Sequence, residues 1–404
     1  MTFTARERGL LAVFFGGGVV ALSAYRAAYL PTCDLVHGYL IPTRGLLFSH
    51  KDPYVDYAFN SYSPFFYALM APLAPLPDAL ASVLWSLSSF ACLWGVVLFT
   101  RRLLALEQPV LRVSSYVAPL LGLTVVLDNF FLGQSNLLPL FCVVASMVAL
   151  TARRQLTAGA LLAVAIAWKL TPALFLLHLL LLRRWKALIS CACMLAVCLV
   201  LVPSLVFGPI RAGHWLKEWT ELVVRPFTRG EKVRTSNIRW YHTNQSLEAV
   251  LNRHLTPYGR ETYGGLHRWL DPARLDEEAT RRIANLARLS LLALLAFVSL
   301  RGRSSVTALA LYLMAAVFIS PASWYSHYVG MVVAYAVAAE RIASTGSRWL
   351  CGALGFAVVL TSISLSPTLR SYSLPFFGQA VLFAALAADL FAVAVHPIQN
   401  RVPP

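Results

Sequence analysis

Apolar residues fall in runs near 9–30, 78–100, 113–128, 137–151, 156–169, 170–183, 187–207, 283–300, 305–320, 325–340, 348–366 and 375–395. A helix that crosses a bilayer upright needs about 20 apolar residues. In hydrocarbon, the backbone must also close its hydrogen bonds within the helix. The pattern therefore predicts an all-α polytopic membrane protein with about 12 transmembrane helices in a single multi-pass domain, residues 1–404. Several runs are shorter than a full span, so their ends are expected to reach into polar neighbours or protein-lined cavities. The stretch 63–76 is extra: Pro72 and Pro75 interrupt it and Pro77 follows it, which predicts a short re-entrant or surface-lying helix. Two connections are long, 31–63 and 208–282, and both are expected on the outer face.

Charge placement gives the orientation. The clusters Arg6/Arg8, Arg101/Arg102/Arg112, Arg153/Arg154, Arg183/Arg184/Lys186, Arg301/Arg303 and Arg341/Arg348 occupy alternate connections, while those near 129–136, 321–325 and 367–374 are almost uncharged. Basic residues stay cytoplasmic, so both termini are expected inside. The second long connection carries mixed charge and the aromatics Trp215, Trp219, Trp240, Tyr241, Tyr258, Tyr263 and Trp269. Loops of that length cross largely regardless of charge.

Composition agrees. The 404 residues are 58% hydrophobic and 13% charged, against about 25% charged in soluble domains. The net charge of +16 is spread as short clusters between apolar runs, which suits anionic lipid headgroups and argues against nucleic acid as a partner. The first run lacks a small-residue cleavage site and reads as a retained helix. Seven scattered cysteines contain no CxxC pair, so packing is their expected role, and no metal site is expected. Gly16-Gly17-Gly18 reads as close helix packing and His178 as a packed mid-span residue. HExxH, P-loop and GxSxG patterns are absent from the sequence.

A few polar residues stand out. Asp34, just beyond the first run, is either a solvated helix-end carboxylate or a general base at a lipid-borne substrate, with Tyr39 one helical turn on. Asp52 and Asp56 lie in ordinary turn chemistry around Lys51-Asp52-Pro53-Tyr54. Lys169 interrupts two apolar runs; it either snorkels beside Trp168 or, the preferred reading, binds a phosphate. His327 either starts a helix or donates a hydrogen bond or proton to a departing phosphate. Gly133-Gln134-Ser135-Asn136 and Asn244-Gln245-Ser246-Leu247 add neutral donors and acceptors.

Taken in order, Asp34-Leu35 with Tyr39, Asp52-Pro53-Tyr54, Tyr62-Ser63-Pro64-Phe65, Ala71-Pro72-Leu73, Gly133-Gln134-Ser135-Asn136, Trp168-Lys169-Leu170-Thr171-Pro172, Asn244-Gln245-Ser246-Leu247 and Ser320-Pro321-Ala322-Ser323-Trp324 resemble the family 87 glycosyltransferases. These are membrane enzymes of the GT-C fold that include polyprenyl-phosphate-mannose-dependent mannosyltransferases. The resemblance implies a polyprenyl-phosphate sugar donor, with mannose the expected sugar, and a lipid or glycan acceptor at the outer face of the cell membrane. Asp34 would deprotonate the acceptor hydroxyl, which would attack the anomeric carbon with inversion. Lys169 and His327 would bind the donor phosphate. Tyr39, Tyr62, Gln134, Asn136, Asn244, Gln245 and Trp324 would contact substrate. The leaving group is one lipid phosphate, so no metal or other cofactor is expected, and Val36 stands where a DxD motif would place its second aspartate. One departure is clear: the family often carries two adjacent histidines after its Ser-Trp pair, and here the first is Ser326. A transporter or flippase of lipid-linked sugars would use Lys169 and the same basic clusters but would not need a base at Asp34, and a non-catalytic envelope-assembly scaffold would act through its long outer loop.

Overall fold

A computed structural model describes residues 5–29, 33–57, 61–107, 114–226, 242–256, 275–301 and 304–395. Arg112, Arg303, Trp240, Tyr241, Tyr258, Tyr263 and Trp269 lie outside the described residues. Among those described, the regular elements are helices, and one isolated antiparallel bridge joins Asn244 to Trp324. Arg8–Tyr29, Asp78–Leu106, Trp185–Phe207, Glu277–Arg301 and Leu374–Ala392 are long and apolar enough to cross a membrane. A sixth candidate, Ser114–Leu121 with Leu123–Leu132, is bent by 65°. Pro119 lies just before the bend and removes a backbone donor there. Apolar helices of 10–17 residues account for most of the remaining runs. Large apolar side chains such as Leu10, Val13, Leu289, Leu300 and Val359 stand exposed on these helices, a surface that suits hydrocarbon. The protein is an all-α, multi-pass membrane protein.

The described residues form two compact units: Met1–Phe99, Val126–Leu176 and Arg184–Ser236 in the first, and Thr100–Val125, Leu177–Arg183 and Asn237–Pro404 in the second.

In the first unit, α1 (Ala5–Tyr29) leads into a connection that the sequence reads as loop but that is helical over most of its first half. A π-turn, Leu35–Leu40, runs directly into α2 (Ile41–Phe48). Its apolar residues Leu35, Val36, Tyr39, Leu40 and Leu46 are buried, which is what holds a short helix that propensity alone would not. Arg44 ties α2 down: it donates to the carbonyls of Ala74 and Leu76 at 2.8 Å each and pairs with Asp78 at 2.7 Å. The extra stretch becomes α3 (Pro64–Met70), capped by Ser63 and followed by a 3-10 turn, Ala71–Leu73. Phe65, Phe66, Tyr67 and Met70 are buried within the unit. Farther on, the helices Gln155–Trp168 and Trp185–Ala196 touch at Gly159, where an added Cβ would lie 2.0 Å from the carbonyl oxygen of Ala187.

In the second unit, Ser114 donates to Glu340 at 2.6 Å and Arg341 pairs with Asp389 at 2.6 Å, so both buried or half-buried acids are matched. His178 bonds Ser299 at 2.9 Å and packs edge-on against Tyr312, the packed role expected of it.

Candidate active site

The turn at Gly133 organises the first unit's polar cluster. Gly133 sits at φ +66°, and an added Cβ would lie 2.6 Å from that of Leu35. Its N–H donates to Phe130 O at 3.1 Å, and the N–H of Gln134 to Asn129 O at 2.8 Å. This is the paired closure that ends a helix on a left-handed residue. Two indoles then fix the emerging segment. Trp85 Nε1 donates to Gly133 O at 2.9 Å, and Trp168 Nε1 to Ser135 O at 3.1 Å. The two indoles stack at 6.2 Å.

With its backbone clamped on either side, the Gln134 side chain is aimed. Its Nε2 donates to Asp34 Oδ2, and its Oε1 accepts from the Tyr39 hydroxyl at 3.4 Å. The π-turn sets Tyr39 five residues after Asp34, so one amide meets both. Tyr39 and Tyr62 share a hydrogen bond of 3.0 Å, and Tyr62 shares another of 3.0 Å with Ser135. Phe66 stacks on Tyr62 at 4.0 Å and meets Tyr39 and Trp168 edge-on. One residue past Ser135, Asn136 accepts from Lys169 Nζ at 2.5 Å. Lys169 is the extended residue that ends the helix Gln155–Trp168, which carries its amine to the cluster.

The electrostatics follow from this burial. Desolvation pushes the Asp34 carboxyl from 3.8 up to about 6; the Gln134 hydrogen bond opposes the shift, the charge of Asp128 adds to it, and His37 and Lys169 oppose it. Burial pulls the Lys169 ammonium below its ordinary value, and Asp34 pulls it back. A carboxylate tuned toward neutrality, beside an amine held at a fixed site, has the character of a general base with a nearby anion-binding group.

Six of the expected residues gather in this unit: Asp34, Tyr39, Tyr62, Gln134, Asn136 and Lys169. The other four gather in the second. There, Asn244 Oδ1 accepts the N–H groups of Ser323 at 3.0 Å and Ser246 at 3.1 Å, and its Nδ2 donates to Pro321 O at 3.2 Å. Gln245 Nε2 donates to the carbonyls of His242 and Arg370 at 2.7 Å each. Both amides are fully buried and spend these bonds on holding backbone segments together. Trp324 bridges Asn244, and its N–H donates to His327 Nδ1 at 3.2 Å, which puts the proton of a neutral ring on Nε2.

Sequence reasoning missed several contributors. Asp128 closes an apolar run and reads as a helix end. Trp85 carries no motif signal at all, and Ser135, though inside the Gly133–Asn136 string, shows nothing there that singles it out as a contact of Tyr62. In the second unit, Arg253 donates to Asn244 O at 2.5 Å and to Ser373 at 2.7 Å, while Arg370 lies 4.3 Å over the Tyr325 ring. Burial, then Arg370 and Arg253, lowers the pKa of His242.

Residues 60–323 match the model of Glycosyltransferase family 87, more than half of the chain. The chain belongs to glycosyltransferase family 87. The family match includes Tyr62, Gln134, Asn136, Lys169, Asn244 and Gln245, while Asp34, Tyr39, Trp324 and His327 flank it. A polyprenol-phosphate-mannose-dependent alpha-(1-2)-phosphatidylinositol pentamannoside mannosyltransferase of Mycolicibacterium smegmatis (strain ATCC 700084 / mc(2)155) is 30% identical over 148 residues, 37% of this chain and 35% of the relative. A polyprenol-phosphate-mannose-dependent alpha-(1-2)-phosphatidylinositol mannoside mannosyltransferase of the same organism is 29% identical over 268 residues, 64% of this chain and 54% of the relative. The chain thus spans 35% and 54% of the lengths of these curated relatives.

Proposed function

We propose that this family 87 protein transfers a sugar, mannose by preference, from a polyprenyl-phosphate donor to a hydroxyl of a lipid or glycan acceptor. Asp34 is the base. It takes the acceptor proton as the oxygen attacks the anomeric carbon; the bond to the donor phosphate breaks and configuration inverts. Lys169 faces the leaving phosphate and steadies its charge without reorganising. Gln134 orients Asp34, and Tyr39 and Tyr62 line the acceptor approach. The reaction takes place at the outer face of the cell membrane, in a GT-C architecture of about 12 membrane helices counting the short ones.

The observation that carries this reading is the half-buried contact of Gln134 with Asp34, which couples a carboxyl raised to about 6 to the Lys169 side of the same turn. The names of the two mycobacterial relatives support the donor class. Purified protein should be incubated with isotopically labelled polyprenyl-phosphate mannose and a lipid extract, and the product's anomeric configuration read by nuclear magnetic resonance. Turnover with inversion is expected. No turnover, or retention of configuration, would contradict it.

A further inference from the structure

Away from the Asp34 cluster, Asp52 meets the helix Pro209–Trp219 at His214 and Glu218. The ligand-type atoms of the three side chains all lie within 4.8 Å of one another. His214 Nε2 is 3.4 Å from Asp52 Oδ2 and 3.6 Å from Glu218 Oε1. Nitrogen–oxygen hydrogen bonds are shorter, about 2.7–3.2 Å. Ligands at ~2.1 Å around a tetrahedral zinc ion stand ~3.4 Å apart. The spacing therefore suits donors arranged about an ion better than donors bonded to each other. Two carboxylates facing one imidazole also concentrate negative charge that a dication would neutralise.

Local structure supplies the rigidity such a site needs. His214 and Glu218 are one helical turn apart, so both project from one face. That helix is anchored at both ends to the segment carrying Asp52: Arg211 bonds His50 at 2.9 Å, and Trp219 Nε1 donates to Ser61 O at 3.0 Å. Asp52 is itself held, its Oδ1 accepting from Tyr54 N at 2.8 Å, which leaves Oδ2 turned to His214.

We propose that Asp52, His214 and Glu218 bind a zinc-class dication, with water completing the tetrahedron, and that this ion clips the connection after α2 to the helix Pro209–Trp219. One imidazole with two carboxylates favours a borderline transition metal over magnesium. The clip is structural and lies outside the proposed transfer chemistry. Its consequence for the Asp34 cluster runs through Tyr54, whose hydroxyl donates to Tyr62 O at 2.7 Å, so the ion braces the segment that presents Tyr62.

The test uses full-length protein in detergent, freed of any polyhistidine tag and of metal by chelator. Zinc chloride is titrated by calorimetry at pH 7.5, and thermal unfolding is followed with and without it. Saturable binding of one zinc per chain is expected, with a midpoint raised by several degrees, as a ligand specific to the folded state requires. Magnesium chloride should give neither. His214→Ala and the isosteric Glu218→Gln should each weaken zinc binding at least tenfold and abolish the shift. Wild-type protein that binds no zinc would overturn the proposal without reference to any variant. So would equal stabilisation by magnesium, or folded Glu218→Gln protein that binds zinc like wild type.

Discussion

The side-chain amide of Gln134 donates to the carboxylate of Asp34 across 100 residues of sequence. The same amide accepts from Tyr39, so its orientation is set from both ends. Replacing Gln134 with Leu removes the donor that favours the charged form of Asp34. The Asp34 pKa should then rise further above 6, and the acidic limb of the transfer rate should move to higher pH. At pH 7.5 the rate should change little, and the loss should grow to several-fold as pH falls toward 6. The full pH–rate profile distinguishes this from simple loss of packing, which would lower the rate at every pH alike.

Asp128 acts on Asp34 in the opposite sense. Its charge raises the Asp34 pKa, so Asp128→Asn should lower that pKa and shift the acidic limb to lower pH. Opposite displacements by Gln134→Leu and Asp128→Asn, measured in one assay, are a stringent check on the electrostatic account.

Linkage gives a second pH effect. Asp34 has a folded pKa of about 6 against an ordinary 3.8. The stabilisation from its tighter proton is fully present below the ordinary value and is lost as pH rises through about 6. At neutral pH the folded protein therefore carries a half-buried charge at a cost. Asp34→Asn removes that cost and should unfold no earlier than wild type at pH 7.5, with a gain on the order of 1 kcal/mol after allowance for partial exposure. Thermal unfolding at pH 5 and pH 7.5 checks the sign.

The sequence made the helices legible and left part of the site hidden. Runs such as 137–151 and 305–320 reappear as Leu137–Thr151 and Ser305–Ile319 because lipid demands unbroken apolar helix. The connection after the first run read as loop because His37, Gly38 and Arg44 break its apolar pattern. Its helix depends on burial of Tyr39 and Leu40 and on the reach of Arg44 to Ala74 and Leu76, none of which is local. Asp34 and Lys169 were visible as charges at the ends of apolar runs. Asp128 was not, since it ends a run like any helix-terminal acid, and Trp85 became part of the site only through a carbonyl 48 residues away. Asn244 and Gln245 read as substrate donors, and their amides also bond the backbone of Pro321, Ser323, His242 and Arg370, a structural role the sequence does not display.

Gly133 tests the scaffold independently of the chemistry. Its φ of +66° and the 2.6 Å approach to Leu35 leave no room for a side chain. Gly133→Ala should cost about 1–2 kcal/mol for the left-handed backbone alone, and more as Leu35 is pushed away. A lowered unfolding midpoint with weakened transfer is expected.

As proposed, Asp34 removes the acceptor proton. The most direct test of this role is transfer by Asp34→Asn compared with wild type under saturating polyprenyl-phosphate mannose at pH 7.5, with donor binding measured on the same samples. A rate at least a hundredfold lower is expected, as loss of a positioned base requires, with donor affinity preserved. Transfer by the folded variant at the wild-type rate would contradict it.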